Sequence, residues 1–339
     1  MPNKNLKRAL CIAFAAVLLC GVITGGFLGL KKAYGLYWDL RSTVNERADH
    51  TVAYFEQLVK DSYLIDRSWV THIENELKIP HFFDYSWVEE AAGSLPRAAL
   101  IAHAFGGIDG NVYTNSLEAF QENYALGHRV FEVDFDLTED EYYLIASHDQ
   151  KKWREAVGLS QDIPYTLDNF LHPGFETRYT MMGYRDIVEL MSEYPDIYIV
   201  TDTKYSDYES VLLQFSQLVR YANLTHPEVL ERIIPQIYHE SMLDWVLSVY
   251  PFRSIIFTLY ATEWTPDSVY DFCERSGVRF VTLWNSIVTP ELLEKWDQLG
   301  ILTATHTVNN IDDAKRSLDM GVDLIYTDFL TPADIAPLL

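Results

Sequence analysis

The heptapeptide VFEVDFD, residues 130–136, carries the two features on which the prediction of the fold depends. It is rich in valine and phenylalanine, which favours a buried β-strand. Its acidic residues Glu132 and Asp134 are two positions apart, and side chains alternate along a strand, so both carboxylates point to the same side. The apolar residues between them would pack against helices. The carboxylates would then face the interior of the fold.

Seven further apolar runs have strand character, and helical segments separate most of them. The predicted strands, with the heptapeptide, cover 99–103, 130–136, 197–202, 233–237, 254–259, 279–283, 302–306 and 324–327. The predicted helices cover 115–126, 184–193, 208–221, 242–249, 266–276, 290–299 and 311–320. Strands that alternate with helices predict parallel βαβ units, and eight such units over about 240 residues predict a (β/α)₈ TIM barrel. Residues 142–148 are predicted to form one extra strand, and 149–182 a long loop beside the site.

Composition limits the classes of partner. The 339 residues include 49 acidic and 26 basic side chains, for a formal net charge of −23. Nucleic-acid binding depends on basic side chains that displace counterions from phosphates, so we expect no nucleic-acid partner. Of the three cysteines, Cys273 alone lies beyond the N-terminal region. Neither a disulfide framework nor a zinc-ligand spacing can therefore arise in the barrel.

The N-terminal region predicts a membrane anchor. Residues 9–30 are apolar and uncharged, and basic residues flank them on both sides. About 20 apolar residues suffice for a helix to cross a bilayer. We therefore expect a tail and transmembrane helix over 1–32, a juxtamembrane helical segment over 33–96 and the barrel over 97–339. The expected location is a single-pass membrane protein with its barrel outside the cytoplasm.

Ionisable side chains gather where the predicted strands end. His103 ends the first strand, and Asp202 and Lys204 end the third, again two positions apart. In a (β/α)₈ barrel the carboxyl ends of the strands share one face, which carries the active site. These residues should therefore meet Glu132 and Asp134 at that face.

The combination of side chains indicates metal-assisted acid–base chemistry. Three carboxylates without a cysteine ligand suit Mg²⁺ or Ca²⁺. A lysine beside them suits a phosphate oxygen. His148 follows the extra strand and would return over the same face, so that His103 and His148 could act as general acid and general base.

Several motifs together resemble the glycerophosphodiester phosphodiesterase family, which belongs to the wider phosphatidylinositol-phospholipase-C-like group of barrels. The resemblance covers roughly residues 98–332. It rests on motifs that occur in the family's order: His103, NSLEAF at 115–120, Gly127, Glu132-x-Asp134, His148-Asp149, PYTL at 164–167, TVN at 307–309, GVD at 321–323 and YTD at 326–328.

The resemblance implies a (β/α)₈ barrel, a divalent cation and two catalytic histidines. By position it makes His103 and His148 the acid–base pair. The implied metal ligands are Glu132, Asp134 and Asp202. The implied contacts to substrate come from Lys204, Asn115 and His306.

Four positions depart from the family pattern. The family's His-Arg-Gly is His103-Ala104 here, and its glutamate before the asparagine is Thr114. Asp202 replaces a glutamate, and His306 replaces an aromatic residue, often tryptophan. The glycine-rich stretch 105–110 follows Ala104. We expect Gly106 and Gly107 in it to supply backbone N–H groups to phosphate.

The expected activity is metal-dependent hydrolysis of a glycerophosphodiester, or of a related lipid or polymer headgroup, to an alcohol and glycerol phosphate. A lyase that stops at a cyclic phosphate has the same residues. A third interpretation is a membrane-tethered barrel that binds a phosphorylated ligand without turnover. The absence of the family's arginine at Ala104 favours this interpretation. A sugar isomerase or aldolase would rest on fold analogy alone and would need a different lysine placement.

Overall fold

The computed structural model describes residues 83–93, 95–96, 99–140, 142–158, 163–172 and 177–339. Nine strands in this part of the chain form one sheet. They are β1 (Leu100–Ala102), β2 (Val130–Leu137), β3 (Leu144–Ala146), β4 (Tyr198–Thr203), β5 (Ile233–Ile237), β6 (Ile256–Thr258), β7 (Phe280–Trp284), β8 (Leu302–His306) and β9 (Leu324–Thr327).

The sheet closes into a barrel of eight parallel strands. Its order is β1-β9-β8-β7-β6-β5-β4-β2-β3, and a further parallel pairing joins β1 to β2 through Ala102 and Phe131. Strand β3 stands outside the ring and pairs antiparallel with the end of β2. The predicted (β/α)₈ barrel is thereby confirmed, and the extra strand is present over a shorter range than 142–148.

Helices connect the strands along the outside of the barrel. They are α1 (Trp87–Glu90), α2 (Leu117–Ala125), α3 (Gln150–Val157), α4 (Leu167–Leu171), α5 (Tyr184–Glu193), α6 (Tyr208–Thr225), α7 (Ser241–Val249), α8 (Pro266–Ser276), α9 (Pro290–Asp297), α10 (Ile311–Met320) and α11 (Pro332–Ile335). Side chains fix several starting points. Ser116, Asp207 and Thr265, for example, accept the backbone N–H groups of the first turns of α2, α6 and α8.

Residues 149–182, predicted as a loop or excursion beside the site, contain two short helices, α3 and α4, that the prediction did not specify. Asp149 caps α3 by accepting the Lys152 N–H at 2.7 Å, and Gly158 ends the helix in the left-handed conformation. Trp153 and Val157, one turn apart, are buried against the core. A short amphipathic helix therefore forms beside the barrel.

The lower interior of the barrel is apolar, and a tryptophan from outside the ring fills its amino-terminal end. Ile101, Val130, Val200 and their neighbours form one buried cluster with Trp87 of α1. The Trp87 ring stacks on Phe280 at a centroid distance of 5.6 Å. Arg253 holds this segment in place through ion pairs with Asp84 and Glu90, each at 2.7 Å. Polar chemistry is thus restricted to the opposite end.

The predicted transmembrane helix and juxtamembrane helix, over 9–30 and 34–78, lie outside the described residues. Among the helices that the structure does describe, none is both long and apolar enough to cross a membrane.

Candidate metal centre and active site

The carboxyl ends of the parallel strands form one open end of the barrel, which we call the mouth. Strands β2 and β4 place Asp134 opposite Asp202 and Glu132 opposite Val200. Because side chains alternate along strands, the residue two positions beyond each apolar interior residue also points inward. The inward positions at the mouth are His103, Asp134, Asp202, Tyr238, Tyr260, Trp284, His306 and Asp328.

Glu132, Asp134 and Asp202 form a buried carboxylate cluster. One oxygen of each lies within 4.8 Å of the others. Glu132 Oε2 accepts the N–H of Ala104 at 2.6 Å, whereas Oε1 is buried without a hydrogen-bond partner in the described part of the chain. Burial and the charge of Asp134 raise the pKa of Glu132 well above its usual range.

These features fit a bound cation. Buried carboxylates without compensating charge are unfavourable, and an unpaired oxygen among them can serve as a metal ligand. An all-oxygen donor set suits a hard divalent ion. The three predicted metal ligands are therefore brought together in a geometry that can hold a metal ion.

Lys204 lies against the same cluster. Its Nζ contacts Asp202 Oδ2 at 2.6 Å and also forms an ion pair with Asp134. Burial acts to lower the pKa of Lys204, but the charges of Asp134 and Asp202 outweigh it and raise the pKa well above the usual value. The ammonium group is therefore charged and partly neutralises the carboxylates.

Asn115 positions Asp134. Its Nδ2 donates to Asp134 Oδ2 at 2.8 Å, and its Oδ1 accepts the Asp134 backbone N–H at 3.0 Å. Asn115 is fully buried and has a positive φ of 48°, which asparagine tolerates better than most residues. Asn115 thus contacts a metal-ligand candidate, and its predicted contact with substrate stays a prediction.

Two tyrosines hold Asp202, and the sequence analysis did not identify them. The hydroxyl of Tyr260 donates to Asp202 Oδ1 at 2.9 Å, and that of Tyr238 donates to the same oxygen. Both residues follow strands β5 and β6 at the inward parity. Extending the alternation one step beyond each strand would have found them.

His103 and His148 each bind a carboxylate through Nδ1. His103, the first residue of a short 3₁₀ turn after β1, contacts Asp328 Oδ1 at 2.8 Å. Asp328 is held in turn by Asn309 at 2.7 Å. His148 contacts Asp149 Oδ2 at 2.8 Å. Each imidazole therefore has a partner on one nitrogen that orients the ring.

The environment of His103 favours its protonated form. Burial acts to lower the pKa of His103, but the hydrogen bond to Asp328 and the charges of Glu132 and Asp134 outweigh it and raise the pKa to about 9. The next residue, Ala104, donates its N–H to Glu132, so His103 lies beside the cluster.

Tyr113 lies between the two histidines and was likewise missed. Its ring meets the His103 ring edge to face at a centroid distance of 4.8 Å and the His148 ring at 4.7 Å. Tyr113 thus bridges the two proposed acid–base groups, which follow β1 and β3.

Aromatic rings line the other half of the mouth. His306 packs against Trp284 at a centroid distance of 4.3 Å and against Tyr260 at 5.6 Å. Burial and the charge of His103 lower the pKa of His306 to about 4, so the ring is neutral. Trp284 and Tyr260 remain 50% and 40% exposed. This half therefore offers an uncharged wall.

The structure corrects the role expected for the glycine-rich stretch. The N–H of Gly106 donates to His103 O at 2.7 Å, and that of Gly107 donates to Asp328 O at 2.6 Å, so neither group is free to bind phosphate. A Cβ on Gly107 would lie 2.2 Å from the Phe329 ring, and one on Gly106 would lie 2.4 Å from the Asn123 amide. The two glycines permit close packing instead.

The fold and the mouth together define a class: a (β/α)₈ barrel in which two histidines flank an acidic site that can hold a metal. The model of the glycerophosphoryl diester phosphodiesterase family matches residues 106–331, which is more than half of the chain. The chain therefore belongs to that family, and the predicted enzyme class, a phosphoric diester hydrolase, is confirmed.

Solved structures share the fold at low sequence identity. One from Silicibacter pomeroyi, assigned as a glycerophosphoryl diester phosphodiesterase, is 19% identical with a TM-score of 0.57, over 75% of this chain and 97% of its own. A glycerophosphodiester phosphodiesterase from Parabacteroides distasonis is 17% identical with a TM-score of 0.55, over 71% and 96%. An Oleispira antarctica phosphodiesterase, in complex with the product sn-glycerol-3-phosphate, is 14% identical with a TM-score of 0.53, over 71% and 96%. Among curated proteins, no sequence matches the chain.

Proposed function

We propose that this protein is a metal-dependent hydrolase of glycerophosphodiesters, or of a related lipid or polymer headgroup, that releases an alcohol and glycerol phosphate. The carrying observation is the carboxylate cluster of Glu132, Asp134 and Asp202 beside His103 in a member of this family. The complex of the Oleispira antarctica phosphodiesterase with sn-glycerol-3-phosphate supports the choice of a glycerophosphate group.

Glu132, Asp134 and Asp202 would hold Mg²⁺ or Ca²⁺. When bound, such an ion polarises a phosphoryl oxygen and lowers the pKa of a nearby hydroxyl. Asn115 keeps Asp134 in place from below, and the hydroxyls of Tyr238 and Tyr260 keep Asp202 in place. The ligand set is therefore supported by a second layer of hydrogen bonds, as metal-binding carboxylates generally are.

His103 and His148 would move the protons. One histidine removes the proton from the attacking substrate hydroxyl, and the other gives a proton to the leaving alcohol oxygen. Water then opens the resulting cyclic phosphate with the two roles reversed. The carboxylates Asp328 and Asp149 keep each ring oriented during this exchange.

Lys204 and His306 would shape the substrate site. The charged ammonium of Lys204 attracts the phosphodiester anion towards the cluster. The neutral ring of His306, with Trp284 and Tyr260, contacts the less polar part of the substrate. Substrate would therefore lie with its phosphate towards the histidines and its carbon chain against the aromatic wall.

Replacement of either histidine tests the proposal. His103→Gln and His148→Gln should each lower the rate of glycerophosphodiester hydrolysis at least 100-fold, because general acid–base catalysis contributes about 10²–10⁴. His172→Gln, an exposed histidine at the end of α4, is the matched control and should retain the full rate. Full activity in either of the first two variants would contradict the proposed mechanism.

A further inference from the structure

The segment between β1 and α2 delivers one aromatic ring into the mouth, that of Tyr113. Its ring contacts His103 on one side and His148 on the other, and the ammonium of Lys152 lies 5.3 Å from its centroid. Residues from three different segments thus converge on a single side chain that has no part in the metal site.

The backbone at Tyr113 is unusual for such a residue. Its φ is 60°, in the left-handed region that glycine adopts readily and that is unfavourable for a bulky side chain. Asparagine or glycine would be the ordinary choice at this position.

The ring of Tyr113 carries a hydroxyl group into the space between the two histidine rings. Within the described residues no hydrogen bond reaches this oxygen, and the residue is half-buried. Burial and then the charges of Asp328, Asp134 and Glu132 raise the pKa of Tyr113, so its hydroxyl stays protonated and can donate.

Donors for a phosphate are scarce at this end of the barrel. The N–H of Ala104 is taken by Glu132, and those of Gly106 and Gly107 are taken by backbone carbonyls. Lys204 is bonded to two carboxylates. An anion bound beside Glu132 and Asp134 needs further hydrogen-bond donors, and Tyr113 lies between the two histidines that flank this position.

We propose that Tyr113 is a substrate-binding residue whose phenolic O–H donates a hydrogen bond to a non-bridging phosphoryl oxygen between the two histidines. The same ring keeps the imidazoles of His103 and His148 apart and oriented. The inference rests on the proposed phosphodiesterase function for its substrate. It adds a phosphate-binding group that the family motifs do not include.

Two substitutions separate the hydroxyl from the ring. Tyr113→Phe removes only the O–H donor and keeps both edge contacts, whereas Tyr113→Leu removes the ring as well. Tyr142→Phe, at an exposed tyrosine on the β2–β3 hairpin, is the matched control. The full chain is used with saturating Mg²⁺ or Ca²⁺, and circular dichroism verifies that each variant is folded.

Calorimetry with inorganic phosphate and with sn-glycerol 3-phosphate measures binding without turnover. Tyr113→Phe should bind both anions about tenfold to a hundredfold more weakly than the wild type, because a hydrogen bond to a charged acceptor is lost. The KM for a glycerophosphodiester should rise by a similar factor with a smaller change in kcat. Tyr113→Leu should lower kcat in addition, since the histidines lose their spacer.

Equal phosphate affinity in Tyr113→Phe and the wild type overturns the inference, as does a wild type that binds neither anion. A wild type that binds phosphate but hydrolyses no glycerophosphodiester overturns the proposed function alone. In that case the binding comparison between Tyr113→Phe and the wild type still decides the role of Tyr113.

Discussion

Replacement of Glu132 by glutamine removes one charge from the carboxylate cluster and keeps the size of the side chain. Ligand oxygens of Glu132, Asp134 and Asp202 lie within 4.8 Å of one another. At an effective dielectric constant of about 20, two unit charges 4.8 Å apart repel by about 3.5 kcal/mol. Two such repulsions act on an ionised Glu132, and the positive charges of His103 and Lys204 together offset roughly half of their sum or slightly more.

In the metal-free protein, repulsion at Glu132 should therefore lower the free energy of unfolding by about 3 kcal/mol at neutral pH. Its folded-state pKa is raised above the ordinary value of 4.5, so the cost is absent below pH 4.5 and appears as the pH rises. The Glu132→Gln variant avoids it. We expect the variant to have a free energy of unfolding about 3 kcal/mol higher than the wild type at pH 7 in EDTA, and the difference to shrink towards pH 5.

Excess Mg²⁺ or Ca²⁺ should remove most of this difference in stability. A ligand at 100 times its Kd stabilises the wild type by about 2.7 kcal/mol, whereas the variant lacks one ligand and should gain much less. Urea unfolding followed by circular dichroism, with and without EDTA, measures both effects, and Glu122→Gln on the exposed face of α2 is the control. The reasoning is refuted if Glu132→Gln is less stable than the wild type in EDTA, or if metal stabilises both equally.

Two further predictions concern stability away from the mouth. Burial lowers the pKa of His128 to about 4 from an ordinary 6.5, so the stability that the neutral ring contributes is present above pH 6.5 and is lost as the pH falls. Between pH 7 and pH 5, the free energy of unfolding in urea should fall by about 2 kcal/mol more for the wild type than for His128→Gln. Equal losses in the two proteins would contradict this. Trp87→Ala should lower the free energy of unfolding by about 3–5 kcal/mol, because it empties the amino-terminal end of the barrel; a change below about 1 kcal/mol would show that Trp87 does not close it.

The barrel could be predicted because its strands are marked locally. The bounds of β5, β8 and β9 agree with the predicted runs, since each is a short apolar segment between polar or helix-starting residues. The segment α3 was missed because eight residues with only Trp153 and Val157 on the buried face give a weak periodic signal. Its Asp149 cap and Gly158 terminus were the available signs.

The carboxylates of the site could also be predicted, because residues two positions apart along β2 or β4 point to the same side of the strand. The alternation also points Tyr238 and Tyr260 inward, but the hydrogen bonds by which they hold Asp202 could not be predicted. Tyr238 and Tyr260 lie just past their strands, and their contact with Asp202 depends on the closure of the barrel across non-adjacent segments. The prediction that Gly106 and Gly107 bind phosphate failed for a related reason. The Gly107 N–H donates to the carbonyl of Asp328, which is more than 200 residues away in the sequence.

Phosphorus NMR of glycerophosphocholine incubated with the full chain tests the central claim most directly. With Mg²⁺ or Ca²⁺, the phosphodiester resonance should be replaced by the phosphomonoester resonance of glycerol phosphate, and EDTA should prevent the change because Glu132, Asp134 and Asp202 would then hold no ion. An unchanged phosphodiester with both metals, or a cyclic phosphate that accumulates without being opened, would contradict a metal-dependent hydrolase.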